Sequence, residues 1–351
     1  MLAPYPPRTA PSQRFRFEQY IEPLRADGFE LEVSSLLDGE GARLIASDGH
    51  LGGKAALAAG AAARRFRDVI RGRSYEAALV HREAFPFGYP IFERSLSALG
   101  VPYIYDLDDA IYLPPGGRPR FSAFRHRKAE GIARHARLIT AGNRYLAEWA
   151  GRHNGDVRIV PTTIDTELYR PRATPDQGER PLCVGWSGSH HTAGYLEAIA
   201  PVLRELQHQK DVRLRVIGDE RFSIPGAEVE ALPWREESEL EDLSEIDIGL
   251  MPMPDDQWAR GKCGLKALQY MALGIPAVIS PVGVNVEIAE GGAALLASDP
   301  AEWRVRILGL IESPQRRSEL AAAGRQRVEE RYSVKATLPL YREALSAAVE
   351  R

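Results

Sequence analysis

Short apolar runs alternate with longer amphipathic stretches along the chain. Apolar runs of four to six residues are typical of buried parallel strands, and apolar positions three or four residues apart indicate helices. In the first half the runs predict a first strand reduced to Leu2 and Ala3, followed by strands over 30–34, 77–81, 103–106, 137–141 and 157–160. In the second half they predict strands over 182–186, 213–218, 229–232, 246–251, 276–280 and 293–296. This alternation predicts an α/β chain with parallel sheets.

Helical patterns lie between the strands. The first half has predicted helices over 14–25, 53–70, 90–99, 125–134 and 145–152. The second half has them over 194–208, 236–243, 264–273, 286–290, 300–312, 314–331 and 334–349. The rhythm restarts after residues 165–180, so we predict domains over 1–165 and 166–333, followed by a terminal segment, 334–351. In such sheets ligands bind beyond the carboxyl ends of the strands, which directs attention to the residues that follow each strand.

The net charge is close to zero, but the two halves differ. Residues 1–170 hold 24 Lys and Arg against 20 Asp and Glu, and the remainder holds 21 against 28. Part of the first half's excess lies in the basic stretch 118–137. This stretch is interpreted as a solvated helical face, as a surface for an anionic acceptor, or as a contact with an anionic membrane. Nucleic acid is disfavoured as a partner, because aromatic residues are not regularly interleaved with these charges.

No apolar run reaches the roughly 18 residues that a membrane-spanning helix needs. The first residues do not resemble a signal peptide. Cys183 and Cys263 are too far apart in sequence to form a metal or redox motif. We therefore expect a cytoplasmic protein, with peripheral contact to the inner face of the cell membrane left open.

The segment 261–287 is the strongest candidate for chemistry. Gly261 and Gly264 allow close approach of the backbone at the start of a predicted helix, where free N–H groups suit a diphosphate. Lys262 and Lys266 are four residues apart, which predicts that they share one face of that helix. Gln269 is expected on the same side, within reach of ribose hydroxyls. Gly274 ends the helix, and Pro276 leads into the next strand.

This segment resembles the donor-binding segment of GT-B glycosyltransferases related to family 4. Its end, Met-Ala-Leu-Gly-Ile-Pro over 271–276, matches the family pattern of Met-Ala-x-Gly-x-Pro. The family's two glutamates are replaced by Gly261 and Gln269. Gly-Lys-Cys-Gly-x-Lys over 261–266 is similar to a bacterial branch of these enzymes. Residues 5–7, 160–171 and 184–189 likewise resemble the family's first loop, its interdomain hinge and its first donor-domain loop.

The resemblance implies two Rossmann-like domains that face each other across a cleft, with the C-terminal helix returning to the N-terminal domain. It also implies a donor site in the second half. The residues assigned to the donor are Gly188, Ser189, Lys262, Gly264, Leu265, Lys266, Gln269, Asn285 and Glu287. His190 and His191, next to Ser189, are interpreted as solvated or capping residues, with a catalytic role as the alternative.

Acidic residues close the strand over 103–106 in the acceptor half. Asp106, Asp108 and Asp109 are interpreted as acceptor-binding or catalytic residues, as loop or helix caps, or, least favoured, as metal ligands. Three carboxylates this close should raise the pKa of at least one of them unless a positive charge lies nearby. Arg82, after the preceding strand, is the candidate counter-ion, and Glu83 beside it is a further acid/base candidate. A separate pair, Arg14 and Arg16, is placed on the acceptor side.

These patterns predict transfer of a sugar from a nucleoside diphosphate sugar to an acceptor hydroxyl. Lys262 and Lys266 would stabilise the leaving diphosphate, so no metal and no cofactor are expected. The resemblance implies retention of the anomeric configuration and a role in bacterial glycan or glycoconjugate synthesis. The acceptor is a saccharide, a lipid-linked group or a small molecule. The alternatives are a nucleotide-sugar epimerase and a non-catalytic nucleotide-sugar-binding paralogue.

Overall fold

The computed structural model describes residues 1–46, 49–113, 122–172 and 180–350. These residues form two compact units. The first consists of Met1–Thr162, Gly261–Cys263 and Thr337–Arg351, and the second of Thr163–Arg260 and Gly264–Ala336. Residues 261–263 were expected in the donor half, but they pack with the first unit. Residue 178, which helped to place the predicted boundary, and part of the basic stretch lie outside the described residues.

The first unit contains a six-stranded parallel sheet with strand order β2-β1-β3-β4-β5-β6. Its strands are β1 Leu2–Ala3, β2 Ser34–Ser35, β3 Ala78–His81, β4 Tyr103–Leu107, β5 Leu138–Ala141 and β6 Val157–Ile159. Every residue of β4 and β5 is buried, which explains their uninterrupted apolar patterns. Leu2 and Ala3 do form a strand, as predicted. The strand predicted over 30–34 is wrong except at its last residue, because pairing with β1 begins only at Ser34.

Helices alternate with the strands of this sheet. They are α1 Pro11–Arg16, α2 Ile21–Ala26, α3 Gly39–Ala46, α4 Leu51–Arg71, α5 Ile91–Ala98, α6 Ser122–His135 and α7 Arg144–Ala150. The single helix predicted over 14–25 is broken at Phe17, whose backbone leaves the helical region (φ −136°) as its side chain becomes fully buried. The sequence pattern did not predict α3.

The second unit contains another six-stranded parallel sheet, with strand order β12-β11-β10-β7-β8-β9. Its strands are β7 Leu182–Ser187, β8 Val212–Ile217, β9 Val229–Leu232, β10 Ile248–Met251, β11 Ala277–Ile279 and β12 Leu295–Leu296. Read from β9, this is the doubly wound order of a dinucleotide-binding fold, and the order reverses between β7 and β10. Ligands of such sheets bind outside the carboxyl ends of the strands at this reversal.

The helices after residue 180 lie mostly at the predicted positions with shifted ends, although those over 190–193 and 257–260 were not predicted. They are α8 His190–Ala193, α9 Ala200–Gln209, α10 Glu239–Ser244, α11 Gln257–Arg260, α12 Leu265–Ala272, α13 Asn285–Ile288, α14 Pro300–Glu312, α15 Pro314–Arg331 and α16 Val334–Val349. The helix predicted over 194–208 begins as a 3₁₀ helix, Gly194–Ile199, and continues as α9. Among the described helices, none is both long and apolar enough to cross a membrane.

The last helix, α16, joins the first unit from Thr337 onwards. The ring of Tyr341 stacks on that of Tyr20, with 4.6 Å between the centroids. The hydroxyls of Tyr20 and Thr337 are hydrogen-bonded at 2.6 Å. The terminal helix therefore packs on the N-terminal unit.

Candidate active site

Asp106, at the carboxyl end of β4, is fully buried beneath the edge of the first sheet. The guanidinium of Arg16 donates to both carboxylate oxygens, with Nη2 2.5 Å from Oδ1 and Nε 3.3 Å from Oδ2. Thr140 Oγ1 donates to Oδ1 at 2.8 Å, and His81 Nδ1 lies 2.7 Å from Oδ2. Four polar atoms thus satisfy this carboxylate.

Burial alone would raise the pKa of Asp106, but the charge of Arg16 and the hydrogen bond with His81 outweigh it and hold the pKa well below its usual range. Arg16 is itself 1% exposed. Neither side chain can reach a substrate from this position. The assignments of Asp106 to catalysis and of Arg16 to acceptor contact are therefore corrected: the two residues form a buried structural ion pair.

Asp108 and Asp109 follow β4 and lie nearer the surface, with side chains 7% and 15% exposed. Arg82 donates from Nε and Nη2 to the two oxygens of Asp108, at 2.7 and 2.9 Å, and from Nη2 to Asp109 Oδ2 at 2.6 Å. Lys262 Nζ donates to Asp109 Oδ1 at 2.9 Å. The structure thus brings together four of the predicted site residues.

Arg82 holds this position through an unusual backbone. It is one of three non-glycine residues with positive φ among those described, at 62°. Left-handed backbone is costly for a residue with a Cβ and is often retained where it aims a functional side chain. Burial would raise the pKa of Asp108, but the charge of Arg82 lowers it below its ordinary value. The expected counter-ion is therefore present, and Asp108 is ionised at neutral pH.

The other two acceptor-side candidates lie elsewhere. The carboxylate of Glu83 forms an ion pair with Lys128, with Nζ 2.8 Å from Oε2. The guanidinium of Arg14 lies over the ring of Phe15, 5.1 Å from the centroid. The ion pair of Glu83 and the ring contact of Arg14 thus involve partners other than Asp108 and Asp109.

The loop after β5 contacts residues 261–263, a contact that was not predicted from the sequence. Asn143 Nδ2 donates to the carbonyl oxygens of Gly261 and Lys262, at 3.2 and 2.9 Å. Cys263 Sγ donates to the carbonyl oxygen of Asp108 at 3.0 Å. A Cβ on Gly142 would lie 2.4 Å from that sulfur, so only glycine fits there. Burial raises the pKa of Cys263 to about 12, which excludes a thiolate nucleophile.

In the second unit, glycines after β7 and β8 form a close-packed loop pair. A Cβ on Gly218 (φ +107°) would lie 1.9 Å from the carbonyl oxygen of Gly188. A Cβ on Gly188 would lie 2.3 Å from the ring of Trp186 and 2.7 Å from Cε of Lys266. The ammonium of Lys266 lies 5.3 Å from the centroid of that ring. The ammonium of Lys266 is therefore held at the carboxyl edge of the sheet, beside Gly188.

Helix α12 begins beside these loops. Its N-cap, Gly264, has φ +72°, and a Cβ there would lie 2.2 Å from Ile288 Cδ1 and 3.5 Å from Asn285 Oδ1. Leu265, the first helical residue, is half-buried. Asn285 is 1% exposed and donates from Nδ2 to the carbonyl oxygen of Ser280. Its buried Oδ1 has no hydrogen-bond partner among the described residues.

Because α12 begins at Leu265, the expected relation between Lys262 and Lys266 is wrong. Lys262 precedes the helix and belongs to the first unit, so helical spacing does not place the two ammonium groups on one face. They stand in separate units of the fold, Lys262 on Asp109 and Lys266 over Trp186.

Gln269 is also displaced from its predicted role. It is 4% exposed, and its Nε2 donates to Tyr169 Oη and to Glu239 Oε1, both at 3.2 Å. Tyr169 Oη donates to Glu239 Oε2 at 3.0 Å, and Trp234 Nε1 donates to Oε1 at 3.1 Å. Gln269 thus helps to satisfy a buried carboxylate and is not exposed to a ribose.

The remaining donor candidates lie at the same edge of the second sheet. Ser189 precedes α8, and its Oγ lies 3.3 Å from Thr192 Oγ1. His190 Nδ1 lies 2.9 Å from Asp219 Oδ2, which fits the interpretation of an exposed, non-catalytic residue. Glu287 is half-buried on α13, and its carbonyl oxygen accepts a hydrogen bond from Arg327.

A cavity of about 470 Å³ lies in the second unit. Pro252 and Met253, which follow β10, and Ser280, which follows β11, form one wall; Tyr195 and Trp303 contribute aromatic rings. Mixed aromatic and polar linings of this size are typical of small-molecule sites. Its position beside the reversal of strand order is where a nucleotide would bind.

Comparison with known proteins adds a family match to this geometry. Residues 182–313 match the family model described as glycosyl transferases group 1. No curated protein matches the chain.

Solved structures with the same fold cover most of the chain. HepE of Anabaena in complex with UDP-glucose is 17% identical, covers 90% of this chain and 91% of its own, and has a TM-score of 0.64. Sucrose-phosphate synthase of Thermosynechococcus elongatus is 16% identical, covers 80% and 77%, and has a TM-score of 0.62. A putative UDP-N-acetylglucosamine 2-epimerase of Listeria monocytogenes is 12% identical, covers 81% and 78%, and has a TM-score of 0.51.

At these identities the structural likeness shows the fold alone. The two six-stranded sheets and these structures confirm the predicted α/β fold with two Rossmann-like domains. The family match over residues 182–313 confirms glycosyltransferase as the enzyme class. The assignment to family 4 and to the Gly-Lys-Cys-Gly-x-Lys branch stays a prediction.

Proposed function

We propose that this glycosyltransferase moves a sugar from a nucleoside diphosphate sugar to an acceptor hydroxyl. One observation carries the proposal: at the carboxyl edge of the second sheet, the amino end of α12, the ammonium of Lys266 and the buried, unpartnered Oδ1 of Asn285 lie around glycine-lined loops. Free N–H groups at a helix start and a nearby ammonium are complementary to a diphosphate. Asn285 Oδ1 can accept a hydrogen bond from a sugar hydroxyl.

The nucleoside is assigned to the neighbouring cavity between Tyr195 and Trp303. HepE, a structure with the same fold, was solved with UDP-glucose, which supports a nucleoside diphosphate sugar as the donor.

The acceptor is assigned to the carboxyl edge of the first sheet. Asp108 and Asp109 are carboxylates there that retain some exposure, and each can accept a hydrogen bond from an attacking hydroxyl. In the reaction the acceptor oxygen bonds to the anomeric carbon, the bond from that carbon to the phosphate oxygen breaks, and the diphosphate leaves with the electron pair. The acceptor proton is lost to a carboxylate or to the leaving phosphate.

We propose that cationic side chains, in place of a metal ion, stabilise the leaving diphosphate. The oxygens of Asp108 and Asp109 already accept hydrogen bonds from Arg82 and Lys262, so the donor set around them is cationic. Retention of configuration and a role in bacterial glycan or glycoconjugate synthesis are proposed on the likeness to group 1 glycosyltransferases.

A panel of nucleotide sugars tests the proposal. We expect one of them to raise the melting temperature, and to release free nucleoside diphosphate when an acceptor is supplied. Lys266→Ala should weaken donor binding about tenfold or more, since a charge-assisted hydrogen bond contributes roughly 1.5–3 kcal/mol. Lys335→Ala, an exposed lysine on α16, is the matched control.

Each alternative has its own result in the same panel. Formation of an epimerised donor without release of free nucleoside diphosphate would establish the epimerase. The putative epimerase of Listeria has the same fold as this chain. Donor binding without turnover would establish the non-catalytic paralogue. Equal donor affinity of Lys266→Ala and the wild type would contradict the placement of the diphosphate at the amino end of α12.

A further inference from the structure

An exposed aromatic surface lies on the first unit, next to the loop that carries Arg82. Residues 83–90 follow β3 and hold Phe87 and Tyr89, which are 60% and 64% exposed. Phe66 on α4 and Phe124 on α6 are 49% and 37% exposed. We call Phe66, Phe87, Tyr89, Ile91 and Phe124 the aromatic surface.

Ring contacts join the rings of this surface in two groups, which residues 87–89 connect along the chain. Tyr89 lies edge-on to Phe124, with 5.7 Å between centroids, and Phe87 lies edge-on to Phe85 at 5.7 Å. Buried Phe92 contacts both Phe85, at 5.4 Å, and Phe66, at 4.8 Å. Every exposed phenylalanine among the described residues belongs to this one surface. Soluble proteins seldom gather exposed aromatic rings in one place unless the rings bind something.

The charges around the rings are predominantly positive. Exposed arginines lie next to the aromatic surface on three helices: Arg67 on α4, Arg94 on α5 and Arg127 on α6. The acidic side chains of the same elements are turned inward or paired. Glu93 is 1% exposed, and Glu83 is paired with Lys128.

We propose that the aromatic surface docks the first unit on an anionic membrane. Aromatic rings surrounded by arginines match the boundary of a bilayer whose headgroups carry negative charge, because the rings enter the interface and the guanidinium groups bind phosphates. A protein partner would have to match four exposed rings with a shaped apolar groove, whereas a bilayer needs no such shape. Residues 83–90 run directly from Arg82, which binds Asp108 and Asp109. Docking therefore presents these carboxylates to acceptors borne by the membrane.

Vesicle binding tests this proposal with the full chain. We expect the protein to sediment with phosphatidylcholine vesicles that contain phosphatidylglycerol and much less with phosphatidylcholine alone. Binding should weaken as salt is added, because salt screens the attraction between the arginines and the anionic headgroups. The double variant Phe87→Ser/Tyr89→Ser should bind at least about tenfold more weakly than wild type. Arg127→Glu should also bind about tenfold more weakly, because it reverses one of the charges that attract the anionic surface.

Two exposed residues of the second unit are matched controls. Val305 is 59% exposed, and Val305→Ser should bind as wild type does. Arg331→Glu, on the exposed face of α15, should lose much less binding than Arg127→Glu. Equal binding by Phe87→Ser/Tyr89→Ser and wild type would overturn the proposal, as would binding to neither kind of vesicle.

Sedimentation velocity identifies the rival occupant. A wild-type dimer that dissociates in Phe87→Ser/Tyr89→Ser would assign the aromatic surface to a second copy of the chain and overturn membrane docking. The donor-induced rise in melting temperature should be unchanged in the double variant. A failure of membrane docking thus differs from a failure of the proposed reaction, since Lys266 and Asn285, which we assign to donor binding, lie in the second unit.

Discussion

Lys262 Nζ donates a hydrogen bond to Asp109 Oδ1 at 2.9 Å, although 153 positions separate the two residues in the sequence. The segment that carries Lys262 is held by Asn143 and belongs to the first unit. Only Cys263 separates Lys262 from Gly264, where the second unit resumes. Covalent geometry limits this span to about 7 Å between Cα atoms.

Lys262→Ala should lower kcat by about 10²-fold or more without unfolding the protein, because it removes a positive charge that stabilises the leaving diphosphate. The measurement is turnover of the donor found in the panel, with circular dichroism to check the fold. Lys335→Ala is the control for removal of an exposed lysine. Unchanged turnover in a folded Lys262→Ala variant would show that Lys262 does not stabilise the leaving diphosphate.

Asp106→Asn tests the buried ion pair. The change leaves the guanidinium of Arg16 buried without its charged partner, which should lower the free energy of unfolding by about 3–5 kcal/mol at neutral pH. The folded pKa of Asp106 lies below its unfolded value, so its contribution is present above the unfolded pKa of about 3.9 and is lost as pH falls through the folded pKa. The difference between variant and wild type should therefore narrow in acid.

Urea unfolding across this pH range measures the effect. Asp109→Asn is the comparison, because its side chain is 15% exposed and its loss strands no fully buried charge. We expect it to cost about 1 kcal/mol or less in stability. Equal destabilisation by the two variants would contradict the division into a structural and a substrate-facing carboxylate.

Gly264→Ala tests the start of α12. The added Cβ would lie 2.2 Å from Ile288 Cδ1 in a backbone with φ +72°. Gly292→Ala is the matched control, since its φ is +74° and its Cβ would meet nothing within 4 Å. The control should lose about 1 kcal/mol from backbone strain alone. Gly264→Ala should lose more and should also bind the donor more weakly; equal losses with unchanged affinity would refute the tight fit.

The sequence predicted most of the architecture because parallel strands buried on both faces leave continuous apolar runs. β4, β5 and β10 are fully buried, and their positions were predicted to within a residue or two. The strand predicted over 30–34 failed for the opposite reason. Residues 30–33 are partly exposed and form no strand pairing with β1. Apolar residues in this segment therefore did not indicate a strand.

The sequence predicted which residues lie near the site better than it predicted what each of them does there. Arg82 and Asp108 were paired correctly, because both follow neighbouring parallel strands. The separation of Lys262 from Lys266 could not be predicted, since it depends on where α12 begins and on the contacts of Asn143. The burial of Asp106 depends on Arg16, Thr140 and His81, which come from three other parts of the chain.

Gln269→Glu asks whether the glutamate of the related enzymes can be restored. The new carboxylate would lie against Glu239, which already accepts hydrogen bonds from Tyr169 and Trp234. Two buried carboxylates cannot both ionise without a counter-ion, so the folded pKa of one must rise above its unfolded value of about 4.3. Such a group destabilises the fold increasingly as pH rises above that unfolded value.

We therefore expect Gln269→Glu to lower the free energy of unfolding by about 2–3 kcal/mol at pH 7, and by little near pH 4. Urea unfolding at the two pH values gives this comparison, and Gln269→Met separates loss of the amide from gain of charge. The variant should not gain turnover, because position 269 is buried away from the donor. A stable, more active Gln269→Glu enzyme at pH 7 would instead show that this position faces the donor, as the sequence pattern had suggested.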